Sequence, residues 1–272
     1  MRLQVNGTVG EWDCRRMEAA VVRVVVNGVG KLGKAIVGAA SEVGPEASGV
    51  TVVAGVDGNP GATADVPVYA ALEDVEQDFD LIIDASRAEA LETVADFAVV
   101  NQKALVVAAT GHSEEQLQRL EEAAESIPVF RASNLSLGVN VLRRLTEQAG
   151  KMLGPVDAEI VETHHRLKVD APSGTALTLA EALRDATDPD RKFVYGRSPE
   201  DIGARGDEIG IHAVRGGTVV GEHTVTFLLD DEIVELRHVA QSRQVFGFGA
   251  LRAAAFTAGK KPGFYTMADL LG

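Results

Sequence analysis

The stretch VVRVVVNGVGKLGKAIVGAA, residues 21–40, decides the fold of this chain. Residues 21–26 form a β-branched run, which is typical of a parallel strand that is buried on both faces. Glycine-rich residues follow, and a helical pattern then runs from Leu32 to Ala40. A strand, a glycine turn and a helix in this order predict the opening unit of an α/β nucleotide-binding fold.

More buried-strand patterns follow, and helical patterns separate them. One helix is predicted to start at Ser113, because Glu114 and Glu115 would place carboxylates in its first turn, where they suit the helix dipole. Strands that alternate with helices predict a Rossmann-type, doubly wound parallel sheet. We place the strands at 50–57, 80–86, 103–111 and 127–133, and a further helix around 88–100.

The pattern changes after Asn134. The runs EIGIHAVRGG, TVVGEHTVTFLLDD and EIVELRHVAQS have the character of strands, and no helix separates them. They predict a second, α+β domain with a mixed or antiparallel sheet. Ahead of them we expect a helix near 138–152, a strand at 156–163 and a loop at 187–208. We divide the chain into an N-terminal extension at 1–20, a dinucleotide-binding domain at 21–134, a second domain at 135–243, and a C-terminal helix at 244–272 that returns to the first domain.

Composition limits the partners and the compartment. The chain of 272 residues has a formal net charge of −14, from 26 Lys and Arg against 40 Asp and Glu. General binders of nucleic acids or anionic membranes are normally basic, so neither partner is expected. No apolar run is long enough for a membrane span, and residues 1–20 lack the apolar core of a signal peptide. The single cysteine, Cys14, excludes an intrachain disulfide and a cysteine zinc site, and we expect a cytoplasmic protein.

The glycine turn has the spacing G-x-G-x-x-G, which is a weak signal alone and a stronger one after a buried strand and before a helix. Its glycines permit a tight turn, and the helix N-terminus offers free N–H groups to a pyrophosphate. The alternative is a turn that only lets the helix pack on the sheet. The candidate cofactor residues here are Gly28, Val29, Gly30, Lys31, Leu32 and Gly33.

Asp57 ends the second strand, near the offset at which an acid binds the ribose hydroxyls of a dinucleotide. Gly58 and Asn59 follow it, so no adjacent base is present to bind a 2′-phosphate. This favours NADH over NADPH, although Lys31 or a residue distant in sequence could still serve NADPH. Further strand ends carry polar groups that would form a rim beside a nicotinamide, or that belong to ordinary loops: Ser86, Thr110, Gly111, Ser133 and Asn134.

The segment ETHHRLKVDAPSGTAL, residues 162–177, concentrates positive charge in an acidic chain. Neighbouring side chains on a strand point to opposite faces, so His164 and His165 should diverge. Ser173-Gly174-Thr175 would start a helix, where free N–H groups and two hydroxyls suit a carboxylate. With Arg166 and Lys168 nearby, the segment predicts a small carboxylate-bearing substrate, to which a histidine and a lysine could donate a proton as hydride arrives.

Structural explanations of the same residues stay open. The histidines could be one packed and one solvated ring, the SGT sequence an N-cap, and the basic residues surface ion pairs. A metal site is disfavoured, because adjacent histidines rarely reach one ion together and no carboxylate or cysteine partner is evident.

EIVETHHRLKVDAPSGTAL closely resembles the signature of the dihydrodipicolinate reductase family. ATGHSEEQ is similar to its T-T-G-F-S-E-E-Q loop and FRASNLSLGVN to its A-P-N-x-S-x-G-V hinge. RGGTVVGEHTV and LRAAAFTAGKKPGFYTMADLL are similar too, so the resemblance runs from about residue 21 to the end. The chain departs from the family's usual sequence in its glycine loop and at Ala109 and Ser133. The usual loop is G-x-x-G-x-x-G, and the loop of this chain is one residue tighter.

The resemblance implies that NAD(P)H reduces a cyclic imine dicarboxylate, 4-hydroxy-tetrahydrodipicolinate, in lysine and diaminopimelate biosynthesis, within a homotetramer. His164 matches the proton donor or acceptor, Lys168 the second catalytic residue and His165 a substrate contact. Gly174 and Thr175 match the carboxylate-binding pair, and we add Ser173 to the substrate site. The matching cofactor contacts are Ala108, Ala109, Thr110, Ala132, Ser133, Asn134 and Leu135.

Two rival functions are weighed against this one. A non-catalytic nucleotide sensor of Rossmann type would not need the histidine and lysine. The second rival is a related amino-acid or semialdehyde dehydrogenase, of which a thiol-dependent semialdehyde enzyme is disfavoured because Cys14 precedes the nucleotide fold.

Overall fold

A computed structural model describes residues 21–198 and 203–272. The expected extension at 1–20, with Cys14, lies outside these residues. Within them, no helix has both the length and the apolar character that a membrane span needs. Helices α1 to α8 are Lys31–Val43, Pro45–Ser48, Leu91–Val100, Glu114–Ala124, Leu137–Leu153, Gly174–Thr187, Gln244–Thr257 and Met267–Leu271. Strands β1 to β12 are Val22–Asn27, Val50–Val56, Val68–Tyr69, Leu81–Asp84, Ala104–Val107, Pro128–Arg131, Asp157–His164, Lys192–Tyr195, Glu208–Arg215, Gly221–Leu228, Ile233–Ala240 and Gly263–Tyr265.

The first sheet is parallel throughout and has the strand order β12-β6-β5-β4-β1-β2-β3. Strand β1 lies inside it and is covered on both faces. Val24 and Val26 pack into one apolar cluster with α1 and α7, whereas Val25 packs into a second cluster with α3 and α4. The β-branched run is therefore buried on both sides, which confirms the predicted doubly wound parallel sheet.

The order of the strands reverses beside β1, because the chain adds β2 and β3 on one side and β4 on the other. In open α/β sheets a crevice forms at such a point, beyond the carboxyl ends of the strands. Here the side-chain amide of Asn27 donates a 2.9 Å hydrogen bond to Asp84, and both residues are buried. This bond ties the end of β1 to the end of β4 directly beneath the glycine turn.

The second sheet has the order β11-β10-β7-β9-β8 and is mixed, as predicted. Strand β10 runs antiparallel to both β11 and β7, while β7, β9 and β8 are parallel. Helices α5 and α6 cover one face of this sheet and enclose its core. The predicted loop at 187–208 was wrong in part, because it contains β8. That strand is a four-residue edge strand between polar turns, so its sequence carries little periodicity.

Helix α7 packs against α1 and joins the core of the first sheet. The two helices approach closely at Gly247, where a Cβ would stand 2.4 Å from the carbonyl oxygen of Ala35 and 3.0 Å from Cβ of Ala39. The absence of a side chain at this position lets the last long helix close over the first.

We expect Gly247→Ala to lower the free energy of unfolding by about 1–3 kcal/mol, because the new methyl group overpacks the contact between α7 and α1. Gly38→Ala is the matched control. It lies in α1, and its Cβ would meet nothing within 4 Å. There the gain in helix propensity should stabilise the protein by roughly 0.5–1 kcal/mol. Denaturant unfolding of both variants checks the expectation, and equal effects of the two would contradict it.

Candidate active site

A cavity of about 840 Å³ opens between the two sheets and receives residues from both. From the second sheet's side it is lined by every residue predicted for proton transfer or substrate binding: His164, His165, Lys168, Ser173, Gly174 and Thr175. From the first sheet's side it is lined by a large part of the predicted cofactor set: Lys31, Leu32, Ala108, Thr110, Ala132, Ser133, Asn134 and Leu135. The fold therefore brings residues that are far apart in sequence to one place.

Other predicted cofactor residues do not line this cavity. They are Gly28, Val29, Gly30, Gly33, Asp57, Ser86 and Ala109. Two of the glycines serve close packing. A Cβ at Gly28, whose φ is +89°, would stand 2.6 Å from Cα of Ser86, and one at Gly33 would stand 2.0 Å from the carbonyl oxygen of Gly28. Ser86 donates its hydroxyl hydrogen to Asp84 at 2.5 Å, so this side chain is engaged inside the protein.

Gly30 differs from these packing glycines. A Cβ there would meet nothing within 4 Å, and no side chain caps the N-terminus of α1, which begins at Lys31. Gly30 therefore offers no side chain to the first N–H groups of α1, and the exposed Lys31 is the first residue of that helix. Free N–H groups at the positive end of a helix fit the pyrophosphate of a dinucleotide.

Asp57 makes hydrogen bonds that sequence reasoning did not anticipate. One carboxylate oxygen accepts from the backbone N–H of Val29 at 3.1 Å, and the other accepts from the backbone N–H of Asn59 at 3.0 Å. The acid therefore holds the glycine turn in shape. Each oxygen keeps a lone pair, so the carboxylate can still accept from a hydroxyl group.

His164 and Glu162 form the buried centre of the site. They lie two residues apart on β7 and so share one face of the strand, with relative exposures of 8 % and 0 %. Their Nδ1 and Oε2 atoms are 2.5 Å apart. Sequence reasoning did not pair Glu162 with His164. The signal was present, because an alternating strand places Glu162 beside His164.

Arg215 on β9 faces the same carboxylate. It donates two hydrogen bonds of 2.7 Å, one to each oxygen of Glu162, and the backbone N–H of Ser173 donates a third at 2.9 Å. Burial alone would raise the pKa of Glu162, but the bonds from Arg215, His164 and Ser173 outweigh it and hold the pKa below its ordinary value. Glu162 is therefore ionised at neutral pH.

The two histidine rings nearest this carboxylate are both driven towards the neutral form. Burial lowers the pKa of His164 below its ordinary value, although the hydrogen bond to Glu162 opposes that shift. Burial lowers the pKa of His223 to about 4. His223 packs edge-on against His164, with ring centroids 5.2 Å apart, and its Nε2 lies 3.1 Å from Oγ of Ser173.

His165 and Lys168 make separate contacts at the rim. Nε2 of His165 lies 3.3 Å from a guanidinium nitrogen of Arg243, and Nζ of Lys168 lies 2.8 Å from a carboxylate oxygen of Asp170. Arg243 immediately precedes α7 and lines the cavity with Arg143 of α5. Sequence reasoning missed both arginines, since nothing local distinguishes them from surface cations. They add to the positive charge around the cavity.

The Ser173-Gly174-Thr175 segment starts α6, as predicted. The hydroxyl of Ser173 accepts from the backbone N–H of Ala176 at 3.2 Å, which is the geometry of an N-cap. Ser173 is itself buried, so its hydroxyl is committed to the cap and to His223. Gly174 is open, since a Cβ would meet nothing within 4 Å. The hydroxyl of Thr175 accepts a 3.1 Å hydrogen bond from the side-chain amide of Asn134.

Family models and individual relatives match this chain over nearly all of its length. The model for the N-terminus of dihydrodipicolinate reductase matches residues 22–135, and the model for its C-terminus matches residues 138–271. A 4-hydroxy-tetrahydrodipicolinate reductase of Caldanaerobacter subterraneus subsp. tengcongensis is 48% identical over 252 residues, covering 92% of this chain and 98% of the relative. The corresponding protein of Clostridium botulinum is 41% identical over 255 residues, covering 93% and 99%.

Solved structures agree with the sequence matches. Dipicolinate-bound dihydrodipicolinate reductase from Paenisporosarcina sp. TG-14 superposes with a TM-score of 0.75 at 26% identity, covering 90% of this chain and 97% of that one. A myo-inositol 2-dehydrogenase from Lactobacillus plantarum, with a TM-score of 0.58 at 10% identity, covers 92% and 93% and shares the fold alone. On the matches to both halves of the chain, it belongs to the dihydrodipicolinate reductase family.

Proposed function

We propose that this protein is an NAD(P)H-dependent oxidoreductase that reduces 4-hydroxy-tetrahydrodipicolinate to tetrahydrodipicolinate. The observation that carries the proposal is the single cavity in which His164 and Lys168 meet the N-terminus of α6 and the carboxyl edge of the first sheet. The relatives bear the name of this reductase, and the related structure from Paenisporosarcina holds dipicolinate, a small dicarboxylate.

The substrate's carboxylates would be held by the start of α6 and the nearby cations. The open backbone at Gly174 and the hydroxyl of Thr175 offer hydrogen bonds at the positive end of a fourteen-residue helix. Ser173 acts as the cap that shapes this end. His165 and Lys168 lie at the same wall of the cavity, and Lys168 would exchange its exposed partner Asp170 for the ligand.

A dinucleotide would be held by the glycine turn and the N-terminus of α1, with the rim at 108–110 and 132–135 beside its nicotinamide. When bound it supplies a hydride to the substrate. The chain's own residues supply the proton. Nδ1 of His164 is turned to Glu162, and within the described residues its Nε2 has no hydrogen-bonding partner, so Nε2 is the atom that faces a ligand. Lys168 is the second proton source within the cavity.

The choice between the two nicotinamide cofactors is part of the proposal. The carboxylate of Asp57 stands beside the glycine turn and would repel a 2′-phosphate while it accepts from free ribose hydroxyls. We therefore propose that NADH binds at least as tightly as NADPH.

The assembly and the division of labour are proposed as well. Residues 21–134 would bind the nucleotide and 135–243 the substrate, with 244–272 closing on the first part. Exposed apolar side chains on the second sheet favour association with further copies, as in a homotetramer: Val161, Val214, Ile233, Val234 and Val239. The single cysteine fits a reducing compartment such as the cytoplasm.

The rival functions use less of the site. A nucleotide sensor would need neither the open N-terminus of α6 nor the buried imidazole of His164. A thiol-dependent dehydrogenase would have only Cys14 as its nucleophile.

The reaction class can be tested directly. Purified protein is mixed with a dihydrodipicolinate synthase, pyruvate, aspartate semialdehyde and either NADH or NADPH. We expect loss of the reduced nicotinamide absorbance that depends on the synthase and on both of its substrates. If neither cofactor is consumed, the proposed function is wrong.

Substitutions of the residues proposed for proton transfer and for carboxylate binding should have different kinetic effects. His164→Gln and Lys168→Ala should lose about 10²–10⁴-fold, mostly in kcat, because they remove proton transfer in the transition state. Thr175→Val should chiefly raise KM, because the carboxylate it binds is present in the ground and transition states alike. Steady-state kinetics and a thermal melt provide the comparison.

Arg166→Ala is the control for these variants, since Arg166 is exposed and does not line the cavity. Its kinetics should stay near those of the unmodified enzyme, and cofactor affinity should stay unchanged in the His164, Lys168 and Arg166 variants. A folded His164→Gln enzyme with normal kcat would assign these histidines to structure alone.

Cofactor preference is tested by calorimetric titration of NADH and NADPH at one salt concentration. We expect NADH to bind at least as tightly as NADPH, and Asp57→Asn to shift the ratio of the two affinities towards NADPH, because the negative charge is lost. The amide oxygen of Asn can still accept from Val29, so the glycine turn keeps its anchor. A clear NADPH preference that survives Asp57→Asn would contradict this reading of the ribose pocket.

A further inference from the structure

The carboxylate of Glu162 has no place in the binding scheme above, yet it is fully buried and ionised. An ionised carboxylate is costly to bury unless paired, and this one is bonded at both oxygens. Replacing such a pair with apolar side chains is often neutral or stabilising, so the burial of a pair is weak support for a role in stability alone. Its position directly behind His164 suggests a role in the chemistry.

We propose that Glu162, held by Arg215, is a positioning residue for proton transfer: it accepts the Nδ1–H of His164, turns Nε2 towards the cavity and stabilises the ring when it is charged. This inference rests on the proposed function, because it concerns the proton that His164 delivers. Which nitrogen of a histidine carries the proton is set by the bond that the other nitrogen makes. Glu162 can only accept, so Nδ1 must be the donor.

Neighbouring backbone lies close to both the main chain and the ring of His164. The backbone carbonyl of His164 accepts from the N–H of Gly216 at 3.0 Å, which fixes the end of β7. On the far side of the ring, a Cβ at Gly221 would stand 3.0 Å from Nε2. Glycine at this position leaves room beside the nitrogen that we assign to proton transfer.

Arg215 also connects the proton donor with the substrate-binding loop. Besides its two bonds to Glu162, it donates to the backbone carbonyl of Asp170 at 2.7 Å. Glu162 in turn accepts from the N–H of Ser173, the cap of α6. One ion pair thus sets the places of His164, of the loop that carries Lys168 and of the helix end that would grip the carboxylate.

The charges around His164 determine how the pKa of its ring should change when the charge of Glu162 is removed. Burial disfavours a charged ring at His164, as do Lys168 from the loop and Arg215 from β9. His223 on β10 has a pKa lowered to about 4, so its ring is neutral at higher pH. Glu162 on β7 is the group that opposes them. Without its charge the pKa of His164 should fall further. Proton donation needs the charged ring, so the limb on which kcat falls with rising pH should move to lower pH.

The first test is Glu162→Gln, whose side chain keeps its length but loses its charge. We expect kcat to fall by about 10²-fold or more and KM to change much less. The descending limb of the pH profile should move down by roughly 1–3 pH units, the effect of an opposite charge in contact. Loss of activity with an unmoved limb would overturn the proposal.

Glu159→Gln is the matched control. Glu159 lies on the same strand and also bonds a histidine ring, that of His212, at 2.7 Å, but it points to the opposite face and away from the cavity. Its kcat and its pH profile should match those of the unmodified enzyme. An equal loss in both variants would mean that any broken ion pair on β7 disturbs the enzyme.

Glu162→Gln leaves the guanidinium of Arg215 without its carboxylate, so a double variant, Glu162→Gln with Arg215→Met, separates stability from chemistry. We expect the double variant to regain thermal stability while kcat stays low. Recovery of kcat along with stability would show that the pair is only structural.

The last measurement needs no turnover and no altered fold. Histidine labelled with ¹⁵N in the unmodified full chain reports the protonation of each ring nitrogen, with His164 assigned from the His164→Gln variant. We expect neutral His164 to carry its hydrogen on Nδ1. A hydrogen on Nε2 overturns the proposal even if the reductase assay succeeds, and a failed assay with the hydrogen on Nδ1 faults the proposed function alone.

Discussion

The burial of β1 on both faces is the constraint on which the rest of this structure depends. Alternate residues of the strand serve two different apolar clusters, so helices must lie on both sides of the sheet. Parallel strands then all end at the same edge, and β1 ends at the point where the strand order reverses. Three segments come together there because each follows the carboxyl end of a parallel strand: the glycine turn, the rim at 108–110 and the segment at 132–135.

The second sheet has one covered face and one open face, so its strands alternate between buried and more exposed residues. Residues of β7 alternate between the two, so Glu162 and His164 face the covered side while Glu159 faces the other. The parallel pairing of β7 with β9 then sets His164 opposite Arg215. The acid, the imidazole and the guanidinium are thus brought together by strand register, and the active site depends on sheet pairing as much as on side-chain type.

Sequence reasoning succeeded where the chemistry is local. The β-branched run, the glycine turn and the capping serine at 173 are each defined by neighbours along the chain, and the structure contains all three elements. It failed where a residue depends on a distant partner. Arg215 and Arg243 cannot be told from surface cations until β9 and α7 are placed, and β8 is too short to show a period. Asp57 was predicted for a ligand, and its hydrogen bond to the backbone of Val29 could not be foreseen from spacing.

The hydrogen bond from Asn134 to Thr175 spans the two halves of the cavity. Asn134 belongs to the segment beside the first sheet, and its side-chain oxygen also accepts from the backbone of Ser136 at 2.8 Å. Thr175 belongs to the start of α6. A ligand that bonded to the hydroxyl of Thr175 would therefore be one hydrogen bond away from Asn134, a residue of the proposed nucleotide rim. Thermodynamic linkage makes any such coupling reciprocal. If the dicarboxylate raises the affinity for the nucleotide by some factor, the nucleotide must raise the affinity for the dicarboxylate by the same factor.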